Sequence, residues 1–309
     1  GFVGYRESGF GREGGREGMW AYLRPAYEKK MPACADGRPA PAKAKSPAAE
    51  GIDRTAKMYI GGKQARPDSG YSRPVSGPGG ALVGEVGEGN RKDIRNAVEA
   101  ACGAASWGKA MGHNRAQVLY YVAENLEARS AEFRARLTAM TGCTRGQANK
   151  EIAASVDRLF TYAAWADKFD GAVHSPPVRN VTIAMNEPLG IIGIACPDEA
   201  PLLAFISLVA PAVAMGNRVV VSPSERAPLS AIDLYQVLDT SDVPGGVVNI
   251  VTGERDVLAG VLAEHDEVAA MWYAGSAAGS AMVERASIGN LKQTWVNGGK
   301  ARDWFDRVQ

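Results

Sequence analysis

Two hydrophobic periodicities divide the chain. Between residues 90 and 169 apolar side chains recur every three to four positions, in three stretches. Lys92–Lys109 aligns Ile94, Val98, Ala101 and Ala105, and Asn90 with Asp93 three residues on has the pattern of a capping box. Arg115–Met140 aligns Val118, Val122, Leu126, Phe133 and Leu137; Asn149–Phe169 aligns Ile152, Val156, Phe160 and Ala163. Each stripe predicts a helix with one face in a core. From Val181 the pattern shortens. Val181–Asn186 predicts a strand, while Ile191–Cys196, Arg218–Val221 and Val247–Val251 are continuous apolar runs of the kind found in strands buried on both faces. Val268–Tyr273 is a weaker fifth.

Between these runs lie four helical patterns, Leu202–Met215, Pro228–Asp239, Asp256–Glu264 and Ala277–Ser287. Alternation of buried strands and helices at this spacing predicts an α/β fold with a doubly wound, Rossmann-like parallel sheet. Ahead of it, Tyr59–Gln64 predicts a short strand and turn. Residues 31–50 are rich in Ala, Pro and Lys and nearly free of large apolar side chains. Such a segment buries too little surface to offset its ordering entropy and is expected to be a linker.

Composition narrows the function classes. In 309 residues, 35 Lys and Arg face 34 Asp and Glu, a formal charge of +1 that gives no reason to expect nucleic acid or a charged membrane surface as partner. The longest apolar run, Leu202–Met215, is too short to span a bilayer and contains Pro211. The four cysteines (Cys34, Cys102, Cys143, Cys196) form no CxxC pair, which fits reduced thiols and a cytoplasmic setting. His113, His174 and His265 have no metal-ligand spacing, so no metal is expected. Gly9-Phe-Gly-Arg-Glu-Gly14 fits GxGxxG literally but follows no apolar strand, and is rejected as a phosphate loop.

Several motifs together resemble the aldehyde dehydrogenase superfamily. Val219-Val-Val-Ser-Pro-Ser-Glu225 is similar to that family's Val-Val-Leu-Lys-Pro-Ala-Glu, Tyr273-Ala-Gly-Ser276 to Phe-Thr-Gly-Ser, and Trp295-Val-Asn-Gly-Gly-Lys300 to a run ending Glu-Leu-Gly-Gly-Lys. Phe2–Gly15 resembles a run near the family's C-terminus, so the motif order resembles the two-module family 16. The resemblance implies three parts: residues 1–30 as the tail of an upstream dehydrogenase module, 31–54 as a linker, and 55–309 as a second, NAD-binding-like domain. In the family the nucleophilic cysteine follows the Gly-Gly-Lys run by a few dozen residues. This sequence stops nine residues after Lys300, which implies that the catalytic domain is absent.

The resemblance also assigns roles, position by position. Glu199 stands where the family has the asparagine that donates to the oxyanion, and an ionised carboxylate has no proton to donate. Val296 stands where the family has its general-base glutamate, and valine accepts no proton. Around the coenzyme, Glu225, Gly275 and Ser276 match the family, Ser222 replaces a lysine, and Glu254 and Asp256 replace a Gly/Pro loop. Ser276 is equally a plain helix N-cap. These replacements imply a pseudoenzyme module that binds no NAD itself, within a parent that oxidises aldehydes with NAD.

Residues 173–188 resemble the family's oligomerisation hairpin. The expected partners are accordingly the upstream catalytic module of the same polypeptide and a homodimer formed through the parent protein. Two other readings compete with this structural and assembly role. One is a regulatory NAD- or nucleotide-binding module resting on Glu225, Gly275 and Ser276. The other is an enzyme with its own reaction, for which Cys196 and Glu199 are the candidates.

Overall fold

Alternating side chains of the apolar runs enter two different cores, which fixes the layer order. A computed structural model describes residues 54–169, 171–175 and 179–306, with the short pieces 2–3, 11–13, 18–19, 22–23 and 44–45. Its main sheet has seven strands: β1 (Met58–Ile60), β2 (Lys63–Ala65), β7 (Ile191–Ala195), β8 (Arg218–Ser222), β9 (Val248–Ile250), β10 (Val268–Tyr273) and β11 (Gln293–Val296). They lie in the order β11-β10-β7-β8-β9-β1-β2. The first five are mutually parallel, and β1 and β2 extend the sheet antiparallel. The hairpin between β1 and β2 turns on Gly61 and Gly62, both at positive φ. A β-carbon on Gly62 would lie 2.8 Å from Gly245 Cα, so this turn needs glycine twice over.

Ile192, Ile194, Val219 and Val221 point into the larger core, while their neighbours Ile191, Ala195 and Val220 point into the smaller one. The larger core is closed by α5 (Pro201–Ala214) and α6 (Leu229–Asp239), with α2 (Gly112–Ala128), α3 (Ser130–Thr141) and α4 (Arg145–Trp165) packed against them. The smaller core is closed by α1 (Arg91–Gly103), α7 (Arg255–Glu264) and α8 (Ala277–Ala286). The observed class is therefore α/β with a mixed, mainly parallel sheet.

Three expectations need correction. The Lys92–Lys109 helix ends at Gly103, and Ala105–Lys109 is a 3-10 turn. The single helix over Arg115–Met140 is two helices that meet at Arg129, whose φ of −98° and ψ of 11° interrupt the α conformation. The buried stripe nonetheless passes from Leu126 to Phe133 seven residues on, so the period runs through the break and conceals it. The third helix starts earlier than expected, at Arg145, where Thr144 and Gln147 form a capping box. The capping box at Asn90 and Asp93 is present as expected.

Strand β11 escaped the sequence pattern, and so did β3 (Tyr71–Ser76) and β4 (Leu82–Gly87), which pair antiparallel beside the main sheet. Of the linker, only Ala44, Lys45 and Arg54 are described, and Ala44–Lys45 pairs with Tyr71 and Ser72. Most of residues 1–30, Cys34 among the rest of 31–53, and three of the six residues Gly9–Gly14 lie outside the described residues. The expected hairpin is present as β5 (Ala172–His174) and β6 (Thr182–Ala184), antiparallel with Val173 opposite Ile183. Among the described residues no helix is long and apolar enough to cross a membrane.

Candidate functional site

Five loops gather at the carboxyl ends of the parallel strands, where open α/β sheets place their ligands. The loop after β7 carries Asp198 and Glu199, the turn after β8 carries Ser224 and Glu225, and the loop after β9 leads through Gly253 into α7. The loop after β10 carries Gly275 and Ser276 into α8, and Asn297 follows β11. The strands are held in register, so these loops have fixed neighbours.

A chain of buried ion pairs and hydrogen bonds ties three of these loops to β3. Arg73, only 2% exposed, donates from Nη2 to Gly253 O at 2.6 Å and from Nη1 to Glu225 Oε1 at 3.3 Å; its Nε lies 3.3 Å from Glu88 Oε2. The second oxygen of Glu225 accepts the Arg255 backbone N–H at 3.2 Å, at the start of α7. Arg255 Nη2 in turn lies 2.7 Å from Asp198 Oδ1. That same Asp198 oxygen accepts from Ser224 Oγ at 2.8 Å and from the amides of Glu225 and Arg226 at 3.0 and 3.3 Å. Burial alone would push the Asp198 carboxyl up, but the Arg255 guanidinium and these hydrogen bonds outweigh it and hold the group below the usual carboxylate range.

The predicted site residues fall into place unequally. Ser222, Glu225, Gly275 and Ser276 are brought to the same edge of the sheet. Ser222 is fully buried, and its Oγ has no hydrogen-bond partner among the described residues. The Gly275 amide donates to Asn297 Oδ1 at 3.1 Å, and Ser276 Oγ accepts the Gly279 amide at 3.0 Å as the N-cap of α8. Val296 sits opposite Tyr273 at the end of β11 and packs against the smaller core. Glu199 is exposed, and the next residue, Ala200, takes φ +44° in the left-handed region. Cys196 is fully buried with its thiol pushed well above its ordinary range by burial, which removes it as a nucleophile.

Sequence reading missed Arg73 and Arg255 and gave Asp198 no role. Asp198 is a charge directly before the flagged Glu199, and Arg255 lies between the two flagged acids Glu254 and Asp256. Those two placements were the available signal. Arg73 had none, because its strand was not recognised.

Several residues at this edge are already engaged within the chain. Both oxygens of Glu225 are engaged, by Arg73 and by α7. Ser222 has no reach beyond its buried position. The Tyr273 hydroxyl donates to Asp256 Oδ1 at 2.6 Å and lies against the first turn of α8, where a β-carbon on Gly275 or Gly279 would collide with it. Burial and then that carboxylate push the Tyr273 phenol up to about 12, so it stays neutral. Charges also balance locally: Arg73, Arg226 and Arg255 stand against Glu88, Asp198 and Glu225. Among the described residues no group of three or more His, Cys, Asp or Glu is placed to hold a metal ion.

The fold and the position of the cleft define an α/β protein of the kind that places ligands at the carboxyl edge of a parallel sheet. Comparison with known proteins gives the family: the profile of the aldehyde dehydrogenase family matches residues 49–302, and the chain belongs to that family. An aldehyde dehydrogenase of Agaricus bisporus is 32% identical over 74% of this chain and 47% of its own length. The cytosolic 10-formyltetrahydrofolate dehydrogenase of Xenopus tropicalis is 28% identical over 79% of this chain and 28% of its own. Among solved structures, an NAD-dependent aldehyde dehydrogenase from Sinorhizobium meliloti superposes with a TM-score of 0.75, at 27% identity, over 78% of this chain and 49% of that one. The chain thus spans about half the length of several of its relatives, or less.

These comparisons correct the expectation that the chain is a pseudoenzyme. The family and the relatives are aldehyde dehydrogenases, an enzyme family. The expectation leaned on where the sequence stops, and a chain that spans half of its relatives cannot be judged by its last residue. It also leaned on single-residue replacements at Glu199 and Val296.

Proposed function

We propose that this chain is the nucleotide-domain portion of a larger NAD-dependent aldehyde dehydrogenase, which oxidises aldehydes to carboxylic acids. Within that protein its part is to carry the dinucleotide edge of the sheet and an assembly surface. The order of the motifs favours a two-module protein with a catalytic module upstream, joined through the segment around residues 31–54. A cytosolic location accompanies this reading.

The observation that carries it is the conjunction of the family match with the β5–β6 hairpin. That hairpin leaves Val173, Val181, Ile183 and Met185 between 64% and 78% exposed. Contiguous apolar side chains on a projecting two-stranded ribbon favour docking against another surface. The partner fitted to it is the upstream module or a second copy of the parent protein.

Two measurements on the full-length protein test the proposal. Aldehyde-dependent formation of NADH, recorded across short aliphatic and aromatic aldehydes, is expected above background; its absence with every aldehyde removes the oxidative activity. Sedimentation of the double variant Val173→Lys, Ile183→Lys is expected to show a smaller species, with the melting temperature of the isolated chain moved by no more than about 2 °C because both positions are exposed. An unchanged sedimentation coefficient removes the assembly role. A second reading, regulation by nucleotide binding, is favoured by Glu225 and Ser276 sharing one sheet edge, and it requires saturable NAD binding without turnover.

A further inference from the structure

The turn after β8 and the start of α7 together build a seat for an anion, and the chain fills it with its own side chain. Three hydrogen bonds and an ion pair converge on Asp198 Oδ1: the bonds from Ser224 Oγ at 2.8 Å and from the Glu225 and Arg226 amides at 3.0 and 3.3 Å, and the ion pair with Arg255 Nη2 at 2.7 Å. Adjacent backbone amides with a hydroxyl and a guanidinium are the donor set that receives phosphate and carboxylate oxygens alike. The donors come from the loops after β8 and β9, whereas Asp198 comes from the loop after β7. None of the donors requires that the anion be attached to the chain. Ser224 is 1% exposed and the Arg255 side chain 13%, while the Asp198 side chain is 23% exposed, so the seat is half-buried and open to solvent on one side.

We infer that Asp198 is the specificity-determining residue of this cleft: its carboxylate occupies the anion seat and excludes phosphate-bearing ligands from the carboxyl edge of the sheet. The inference rests on the reading of this edge as a dinucleotide edge. It accounts for an edge whose anion seat is filled from within although Glu225, Gly275 and Ser276 lie beside it. Shortening residue 198 to alanine leaves a hydroxyl, two amides and a guanidinium pointing at one point, with one more formal positive charge than before. An anion supplied from solution then replaces the lost partner.

Calorimetric titration of the 309-residue chain tests this, with inorganic pyrophosphate and NAD as separate ligands and wild type, Asp198→Ala and Asp198→Asn compared at low salt. Wild type is expected to give no saturable heat with millimolar pyrophosphate. Asp198→Ala is expected to bind pyrophosphate at least about tenfold more tightly than wild type, with an affinity that falls as salt is added, and to gain in the same direction for NAD. Asp198→Asn keeps an acceptor in the seat and removes only the charge, so a smaller gain is expected; it also decides the question if the alanine variant does not fold. A gain in neither variant, or a wild type that already binds as tightly as both, overturns the inference. The aldehyde assay on the full-length protein is independent of this result: an enzyme that turns over while Asp198 variants change nothing refutes the seat alone, and an inert full-length protein refutes the proposed activity alone.

Discussion

Arg73 carries more of this site than any other single residue. It is buried on β3, and it holds the Gly253 carbonyl, Glu225 and Glu88 from one guanidinium. Removing one member of a buried charged cluster leaves the others uncompensated. Arg73→Ala is therefore expected to lose about 3–5 kcal/mol in urea unfolding. Arg73→Lys should lose most of that, because an ammonium cannot fork to three partners. A loss below about 1 kcal/mol would mean that the cluster does not hold the loops together. Asp198 makes a prediction of opposite character, in pH. Its carboxyl is depressed in the folded chain from an ordinary value of 3.8, so the stabilisation is complete above that value and disappears as pH falls through the lower folded one. Wild type should lose stability more steeply than Asp198→Asn below about pH 4, and parallel acid-unfolding curves would refute the pairing.

At the scale of elements, α5 shows how one helix repairs another. Ala200 at its N-terminus supplies no side-chain cap, and Pro201 opens the helix. Glu151, from the middle of α4, reaches across and accepts the Leu202 and Leu203 amides at 2.9 and 3.3 Å. Burial raises the Glu151 carboxyl, and those two amides act against the rise. Glu151→Ala leaves two buried amides without acceptors and is expected to cost about 1–3 kcal/mol. Glu151→Gln, which keeps an acceptor oxygen, should cost distinctly less; equal losses for the two would assign the effect to packing.

The same elements show what was legible in the sequence. Four of the five parallel strands, the helices between them and the box at α1 follow from apolar runs and from Asn90 and Asp93, whereas β11, whose residues Gln293–Val296 make no apolar run, and the box of Thr144 and Gln147 at α4 were not read from the sequence. The site edge was legible through Glu225, Gly275 and Ser276. The break at Arg129 was not, because the stripe keeps its seven-residue step across it. Strands β3 and β4 were hidden by Pro74, Gly84 and the polar residues between them, and Arg73 was hidden with them. Pairings between residues such as Asp198 and Arg255, 57 positions apart, are set by the sheet order and not by any local pattern.

For the whole molecule, two features point in different directions. The β5–β6 hairpin turns apolar side chains outward, into solvent. The cleft at the carboxyl edge turns its charges inward, toward one another. Under the proposed function the hairpin is the assembly end of the fold, and the opposite feature is a ligand edge whose charges are paired from within. The most direct measurement of that claim is hydrogen exchange at the backbone amides of Glu225, Arg226 and Arg255, the three amides held by Asp198 and Glu225. In wild type they should exchange slowly and be unaffected by millimolar NAD, and in Asp198→Ala the first two should exchange much faster until pyrophosphate is added. Fast exchange in wild type, or protection of these amides by NAD while Asp198 is intact, would contradict a cleft closed by its own carboxylate.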